Sequence, residues 1–220
     1  MTHANPADRD LLETWLGINP DSPLGQLRAV RPTARTQTQL SHDLLLDPAR
    51  VAADSLQHFS LTERWALAWF TALLHRQPAA IHHYHQGLQQ QAAIHPDAGV
   101  LLDLLPALAE QASDKGPWGH YLAGPLSAED VPGQAWTPDA ATTAQLGVRL
   151  SAALAHVHLL VFHPRDASAK ALQRLQDAGW SSTGIVSLSQ LVAFLAYQLR
   201  VASGLQVLQQ VIETSPATPA

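Results

Sequence analysis

Histidines are the residues in this sequence best suited to chemistry, and their densest cluster is the run IHHYH at Ile81–His85. If this segment is helical, His82 and His85 lie on one face, and His75, seven residues before His82, lies on roughly the same face. Neutral imidazoles at this spacing can bind zinc or copper, although such sites need further ligands. One of the histidines could instead act as a general acid or base, or all could be partly exposed helix residues.

Glu63 is the carboxylate at the start of the helix predicted before this histidine cluster. It stands three residues after Ser60, which is the spacing of a capping box, in which hydroxyl and carboxylate satisfy each other's backbone amides. The same carboxylate could also reach across the predicted helical hairpin to an imidazole of the next helix. Such a pair would set the tautomer and the basicity of the histidine for proton transfer.

Arg200 ends a charge-free run that begins at Ala178. We expect this arginine on a largely buried helix, where a guanidinium must find acceptors. Its first predicted partner is Glu63, with Asp54 or a backbone carbonyl as alternatives. It could also bind an anionic substrate.

Composition excludes several classes of site. The chain has no cysteine, which rules out disulfides, thiolate zinc sites, iron–sulfur clusters and a cysteine nucleophile. It holds no glycine-rich nucleotide loop and no G-x-S-x-G, so no cofactor is expected. A net charge of −5, with scattered basic residues, argues against nucleic acid and against an anionic membrane surface as partners. Three other histidines are interpreted as core or interface residues: His156, His158 and His163.

The N-terminal sequence MTHANPADRD lacks the basic start and apolar run of an export signal, so a cytoplasmic location is expected. The charge-free run at Ala178–Leu199 is long enough to cross a bilayer. It contains several serines and glutamines, and its apolar residues follow a helical stripe. We therefore predict a core helix and no membrane span.

Hydrophobic periodicity predicts helices almost throughout and no strands, so the fold class is all-α. The predicted helices, separated by glycine or proline, are Asp8–Leu16, Thr33–Leu46, Leu61–His75, Ala79–Ala92, Pro96–Gln111, one from Thr137 to before Pro164, one from Asp166 or Ser168 to Gly179, and Ser182–Glu213 with a break at Gly204 as an option. The cluster of Pro20, Pro23 and Gly25 after the first helix is expected to form a loop or single turns. The Gly- and Pro-rich segment Ser113–Gly133 is the candidate domain boundary or functional lid.

Two long segments resemble a known superfamily: SLTERWALAWFTALLHRQPAAIHHYHQGL at Ser60–Leu88 and LQRLQDAGWSSTGIVSLSQLVAFLAYQLRVASGL at Leu172–Leu205. The sequence resembles the carboxymuconolactone decarboxylase and alkylhydroperoxidase-D-like superfamily, in its peroxidase-related branch with a CMD domain. The resemblance implies a helical bundle and a homo-oligomer. It also implies an N-terminal helical extension over residues 1–55 and the alkylhydroperoxidase-D-like domain over residues 56–213. The composition of residues 214–220 predicts a disordered tail.

The resemblance further implies a catalytic set. Peroxidase members carry a glutamate, a C-x-x-C pair and a histidine, which correspond here to Glu63, to His75 and Pro78, and to His82, with His83 next to it. Because both cysteines are absent, thiol peroxidase activity is not expected.

Three functions therefore stay open. The protein could be a catalytically silent relative that binds a ligand or a related peroxidase-like subunit. It could be a proton-transfer enzyme of the decarboxylase or isomerase type, acting on a small lactone or carboxylate through Glu63 and His82 or His83. It could also be a histidine-rich metal binder.

Overall fold

The computed structural model of the chain describes residues 10–214. It is 76% helical, and the β pairing among these residues is limited to one isolated bridge between Gly119 and Val131. The predicted all-α fold class is therefore confirmed. The helices are α1 (Leu11–Leu16), α2 (Pro23–Ala29), α3 (Pro32–Leu46), α4 (Ala53–His58), α5 (Leu61–His75), α6 (Pro78–Ile94), α7 (Gly99–Gln111), α8 (Ala140–Phe162), α9 (Ala169–Asp177) and α10 (Ser182–Thr214). The predicted helix start at Asp8 and the tail after Thr214 lie outside the described residues.

Helix α5 lies at the centre of the fold and packs against α6, α7, α8 and α10. All its residues from Arg64 to Ala72 are buried, as expected of a helix that is apolar on every side. The predicted capping box is confirmed at its start, where Ser60 Oγ accepts from the Glu63 amide at 3.3 Å and Glu63 Oε2 accepts from the Ser60 amide at 2.9 Å. Helix α6 returns antiparallel to α5.

The N-terminal helices α1–α3 pack against α5, α6 and α10. They are joined by ion pairs in which Asp10 and Glu13 of α1 meet Arg28 of α2 and Arg35 of α3. Helix α2 forms where a loop or single turns were predicted, because the Ser22 hydroxyl caps its first turn. The expected domain boundary at residue 55 falls inside α4.

Two predicted helix ends differ from the structure. Helix α8 begins at Ala140 and not after Thr137, because the Asp139 carboxylate accepts from the Thr142 amide at 2.7 Å. The optional break at Gly204 does not occur, since α10 is continuous. The break lies in α8 at Gly147, whose φ of 79° is outside the helical region.

The segment between α7 and α8 is irregular, as predicted, with a single short 3₁₀ turn at Pro125–Glu129. It is attached to the C-terminal end of α8, where the Trp118 amide donates to the Phe162 carbonyl at 2.5 Å. The His120 amide donates to Asp166 Oδ1 at 3.1 Å just beyond that end. Further along the segment, the Trp136 amide donates to His158 Nδ1 at 3.4 Å, and this contact joins the end of the segment to α8.

Helices α8 and α10 are long and apolar enough to cross a membrane by length and composition alone. In each, 44% of the most apolar window is buried inside the protein. Core helices of soluble proteins pass the same test, so the absence of a membrane span stays a prediction.

Candidate functional site

Glu63 is engaged by Arg149 of α8. Arg149 Nε donates to Glu63 Oε1 at 2.7 Å, and Arg149 Nη2 lies 3.5 Å from Oε2. The guanidinium also donates to the carbonyls of His58 at 2.7 Å and Gly179 at 2.9 Å, and it stacks 3.8 Å from the ring centroid of Trp180. Glu63 therefore joins α5 to α8 in addition to capping α5.

The predicted pair between Glu63 and Arg200 is wrong. Arg200 is exposed on α10 and donates to the carbonyl of Ala196, one turn earlier on its own helix, at 3.1 Å. The buried stripe of α10 passes through Leu195 and Leu199. Because successive helix residues are rotated by about 100°, the residue after Leu199 points away from the core.

The structure also separates Glu63 from the histidine cluster. Glu63 lies near the start of α5, whereas His82 and His83 lie near the start of α6, and the two helices are antiparallel. At 1.5 Å per residue, Glu63 and His83 are offset by about 10 Å along the hairpin axis. His82 is exposed, and His83 is half-buried. The expectation that Glu63 reaches an imidazole of the next helix is therefore wrong.

His83 instead meets His42 of α3. The two Nε2 atoms lie 3.2 Å apart, and His42 Nδ1 lies 3.3 Å from Asp43 Oδ1. His42 and Asp43 are both buried. Aromatic rings surround the pair, since His83 contacts the rings of Trp15 and Trp65 at centroid distances of 5.3 and 5.7 Å. Contacts at hydrogen-bond distance thus link three polar side chains in the order Asp43, His42, His83.

Gln39 holds the Asp43 carboxylate in position. Its amide nitrogen donates to Asp43 Oδ1 at 2.7 Å, while its amide oxygen accepts from the Leu11 backbone at 2.9 Å. Arg50 Nε lies 4.0 Å from Asp43 Oδ2. Helix α1 and the loop after α3 therefore hold the carboxylate in place.

The side chains of Asp43, His42 and His83 border a cavity of about 260 Å³ between α3 and α6, which we call the His83 cavity. Its walls are formed by His42, Asp43, Leu46, Asp47, Pro48, Trp65, His83, Gln86, Gly87 and Gln90. Trp65 supplies the largest apolar wall. A small molecule in this cavity would contact the histidine pair directly.

The positions of the protons follow from the partners if Asp43 is ionised. An ionised Asp43 can only accept, so His42 carries a proton on Nδ1 and a neutral His42 accepts at Nε2. His83 then donates from Nε2. The arrangement is suited to accepting and returning a single proton.

Sequence reasoning found His83 but missed His42 and Asp43. Their signal is visible in α3, where Gln39, His42, Asp43 and Leu46 recur at the spacing of a buried helix face. Three polar residues at core positions indicate a buried polar network. The contact with His83 is not visible in the sequence because 41 positions separate the two histidines.

The remaining histidines do not form the predicted metal-binding face. The ring of His85 contacts the ring of Trp69 at a centroid distance of 4.8 Å and is tilted by 40° from it. Burial and the positive charge of Arg200 lower the pKa of His75 to about 4. Within residues 10–214, no three His, Asp or Glu side chains converge on a point that could hold a metal ion.

Comparison with family models, with curated proteins and with solved structures finds no match to this chain.

Proposed function

We propose that the protein is a general acid–base catalyst in which His83 exchanges a proton with a small molecule bound in the His83 cavity. The observation that carries the proposal is the chain of Asp43, His42 and His83 at hydrogen-bond distances, which ends in that cavity. The carboxylate orients the first ring, and the first ring orients the second. This arrangement gives a general base a defined tautomer and a place to delocalise its charge.

The cavity walls favour an uncharged lactone as the substrate over a carboxylate. Among residues 10–214, its lining contains the carboxylates of Asp43 and Asp47 and no arginine or lysine. The amides of Gln86 and Gln90 can donate to a carbonyl oxygen.

The reaction that fits this chemistry is an isomerisation. His83 removes a proton from the carbon beside the carbonyl of an unsaturated lactone, and the C=C bond shifts by one position. The protonated histidine pair returns the proton to the far carbon of the resulting dienolate. No atom is gained or lost overall. Glu63 and His82 have no part in this scheme.

A second candidate is a non-catalytic, ligand-binding or partner-binding relative of the superfamily that the sequence resembles. The contact between Glu63 and Arg149 favours it, because the glutamate that the resemblance makes catalytic is used in packing. In this case the His83 cavity binds a molecule, or helps to bind a related peroxidase-like subunit, without chemistry.

We also propose a homo-oligomer in the cytoplasm. Helix α10 exposes four large apolar or aromatic side chains: Val186, Tyr197, Val207 and Val211. Exposed apolar surface on a chain with only 14% charged residues is typical of an interface. Sedimentation should give a species larger than the 23.7 kDa monomer, and a monomer at micromolar concentration would contradict this.

Deuterium uptake tests the catalytic proposal. Five- and six-membered lactones are incubated with the protein in D2O, and NMR follows exchange at the carbon beside the carbonyl. The wild-type protein should accelerate exchange, and His83→Gln should lose about 10²–10⁴-fold of that rate. His42→Gln and Asp43→Asn should lose part of it.

His82→Gln is the matched control, since it removes the neighbouring exposed imidazole and should exchange at the wild-type rate. Saturable lactone binding with no exchange above buffer would contradict catalysis and support the non-catalytic candidate. Equal rates for His82→Gln and His83→Gln would show that the histidine pair is not the base.

A further inference from the structure

A second cavity lies where the N-terminal helices α1–α3 pack against α10. Its volume is about 200 Å³. We call it the α3–α10 cavity. Among residues 10–214 it has no lining residue in common with the His83 cavity. Four aliphatic side chains contribute to its wall: Leu12, Leu27, Val201 and Leu205. A concave space with apolar walls suits the apolar part of a small organic molecule.

The charged part of the wall is cationic. Three arginines line the cavity: Arg28 of α2, Arg31 just before α3, and Arg35 of α3. In the part of the chain that the structure describes, the lining contains no aspartate or glutamate. The charges are thus the reverse of those in the His83 cavity. Opposite charges attract most strongly where water is partly excluded, so this cavity favours an anion.

Two of the arginines are held in place from outside the cavity. Arg28 donates to Asp10 and to Glu13. Arg35 donates to the same two carboxylates. These hydrogen bonds use Nε and Nη2 of each guanidinium, so Nη1 of each lies outside the ion-pair network. Because the ion pairs already restrict both side chains, a ligand that contacts them costs less side-chain entropy.

Arg31 adds one positive charge that this network does not neutralise. Asp10 and Glu13 balance two arginines, and Arg31 forms no ion pair within residues 10–214. Its side chain is exposed. It lies four positions before Arg35, which places the two side chains on the same side of α3. One carboxylate between them can accept from both guanidinium groups.

The hydroxyl groups beside the cavity do not offer a proton to an anion. Thr38 Oγ1 donates to the Ala34 carbonyl at 2.7 Å and lies 3.0 Å from Tyr197 Oη. Since the threonine proton is already used, Tyr197 donates its own proton to Thr38. Thr38 lies seven positions, or about 10 Å along α3, from Arg31. The anionic group therefore belongs at the arginine end.

The wall contributed by α10 suits the apolar part of the same molecule. Tyr197, Val201 and Leu205 recur every four residues, so they form one stripe along that helix. Tyr197 begins this stripe beside Thr38. A molecule with its charge at the arginines can lay an apolar chain along this stripe.

We propose that the α3–α10 cavity binds a small organic monocarboxylate, with its carboxylate at Arg31 and Arg35 and its apolar part against α10. The planar guanidinium fork matches the two oxygens of a carboxylate. A single negative charge matches the one charge left in excess by the ion-pair network. A dianion such as a phosphate monoester would keep one charge uncompensated.

Calorimetry with three six-carbon probes tests the proposal. The probes are hexanoate, its uncharged amide hexanamide, and the cation hexylammonium. We expect hexanoate to bind most tightly and hexylammonium least. Raising the NaCl concentration should weaken the binding of hexanoate and leave that of hexanamide unchanged, because salt screens exposed charges. Equal affinities for hexanoate and hexanamide, or no saturable hexanoate binding at millimolar concentrations, would overturn the proposal.

Variants then locate the site. Arg31→Gln should weaken hexanoate binding about 3- to 10-fold, the range for a charge-assisted hydrogen bond at a partly exposed site, and should not change the affinity for hexanamide. Ala34→Glu, at an exposed position in the lining, should weaken hexanoate binding at least as much by placing a carboxylate beside the arginines. Arg174→Gln is the matched control, since Arg174 is an exposed arginine on α9.

The melting temperatures of these variants should match that of the wild-type protein, because the three positions are exposed. Equal losses of affinity in Arg31→Gln and Arg174→Gln would mean that hexanoate binds arginine non-specifically, and would overturn the proposal. His83→Gln should bind hexanoate as tightly as the wild-type protein. A loss of hexanoate binding in that variant would place the ligand in the His83 cavity and would also overturn the proposal.

Discussion

Replacing Arg149 with methionine should destabilise the protein more than replacing any other arginine of α8–α10. Arg149 donates to Glu63, to the carbonyls of His58 and Gly179, and stacks on Trp180. These contacts join α8 to α5, to the end of α4 and to the loop before α10. Methionine keeps much of the side-chain volume while removing every one of these polar contacts.

The size of the effect follows from exposure. The Glu63 and Arg149 side chains are 20% and 35% exposed, so solvent weakens their attraction and we assign it about 1 kcal/mol. The two backbone carbonyls add about 1 kcal/mol each at the level of ordinary hydrogen bonds. The contact with Trp180 adds about 0.5 kcal/mol. The total is about 3.5 kcal/mol, or a fall in Tm of about 7–14 °C for a chain of this length.

Urea denaturation of a double-mutant cycle measures the pair directly. Glu63→Gln keeps an oxygen for the capping box while removing the charge, and its coupling with Arg149→Met should be about 1 kcal/mol. Arg200→Met is the matched control and should change the free energy of unfolding by less than about 0.5 kcal/mol. Equal losses for Arg149→Met and Arg200→Met, or additive losses within the cycle, would refute the reasoning.

Three further predictions rest on single features. Burial lowers the pKa values of three histidines to about 4: His75, His156 and His158. The unfolded chain takes up these protons near pH 6.5, whereas the folded chain takes them up only near pH 4. The free energy of unfolding should therefore fall as the pH is lowered from about 6.5 to about 4. A urea midpoint that stays constant over this range would contradict the prediction. Gly87→Ala should lower the free energy of unfolding by about 1–3 kcal/mol, because the added Cβ would overlap the Trp65 ring. Gly204→Ala lies in open space on α10 and should raise it by up to about 1 kcal/mol. Thermal melts should show shifts of opposite sign for the two variants. The metal-free protein should not reduce alkyl hydroperoxides with a dithiol, because it has no cysteine; turnover above background in a coupled assay would disprove this.

Features that depend on a few consecutive residues were predictable. The capping box of Ser60 and Glu63 joins residues three positions apart, so the sequence pattern alone was enough to predict it. The all-α class follows from apolar residues recurring at helical spacing. Proline and glycine marked most helix ends to within a few residues, and the misplaced start of α8 was decided by a cap only two positions from the expected one.

The candidate site depended on residues that are distant in sequence. His42 and His83 meet because α3 packs across the α5–α6 hairpin, and no local pattern specifies that crossing. Glu63 was expected to meet Arg200 but pairs with Arg149, because a charge-free run does not reveal which side of a helix its last residue faces. Composition alone excluded cysteine chemistry, since a chain without a thiol cannot perform it in any fold. The partners of the remaining polar side chains were decided by how the helices pack, since a hydrogen bond requires its two atoms to lie within about 3 Å.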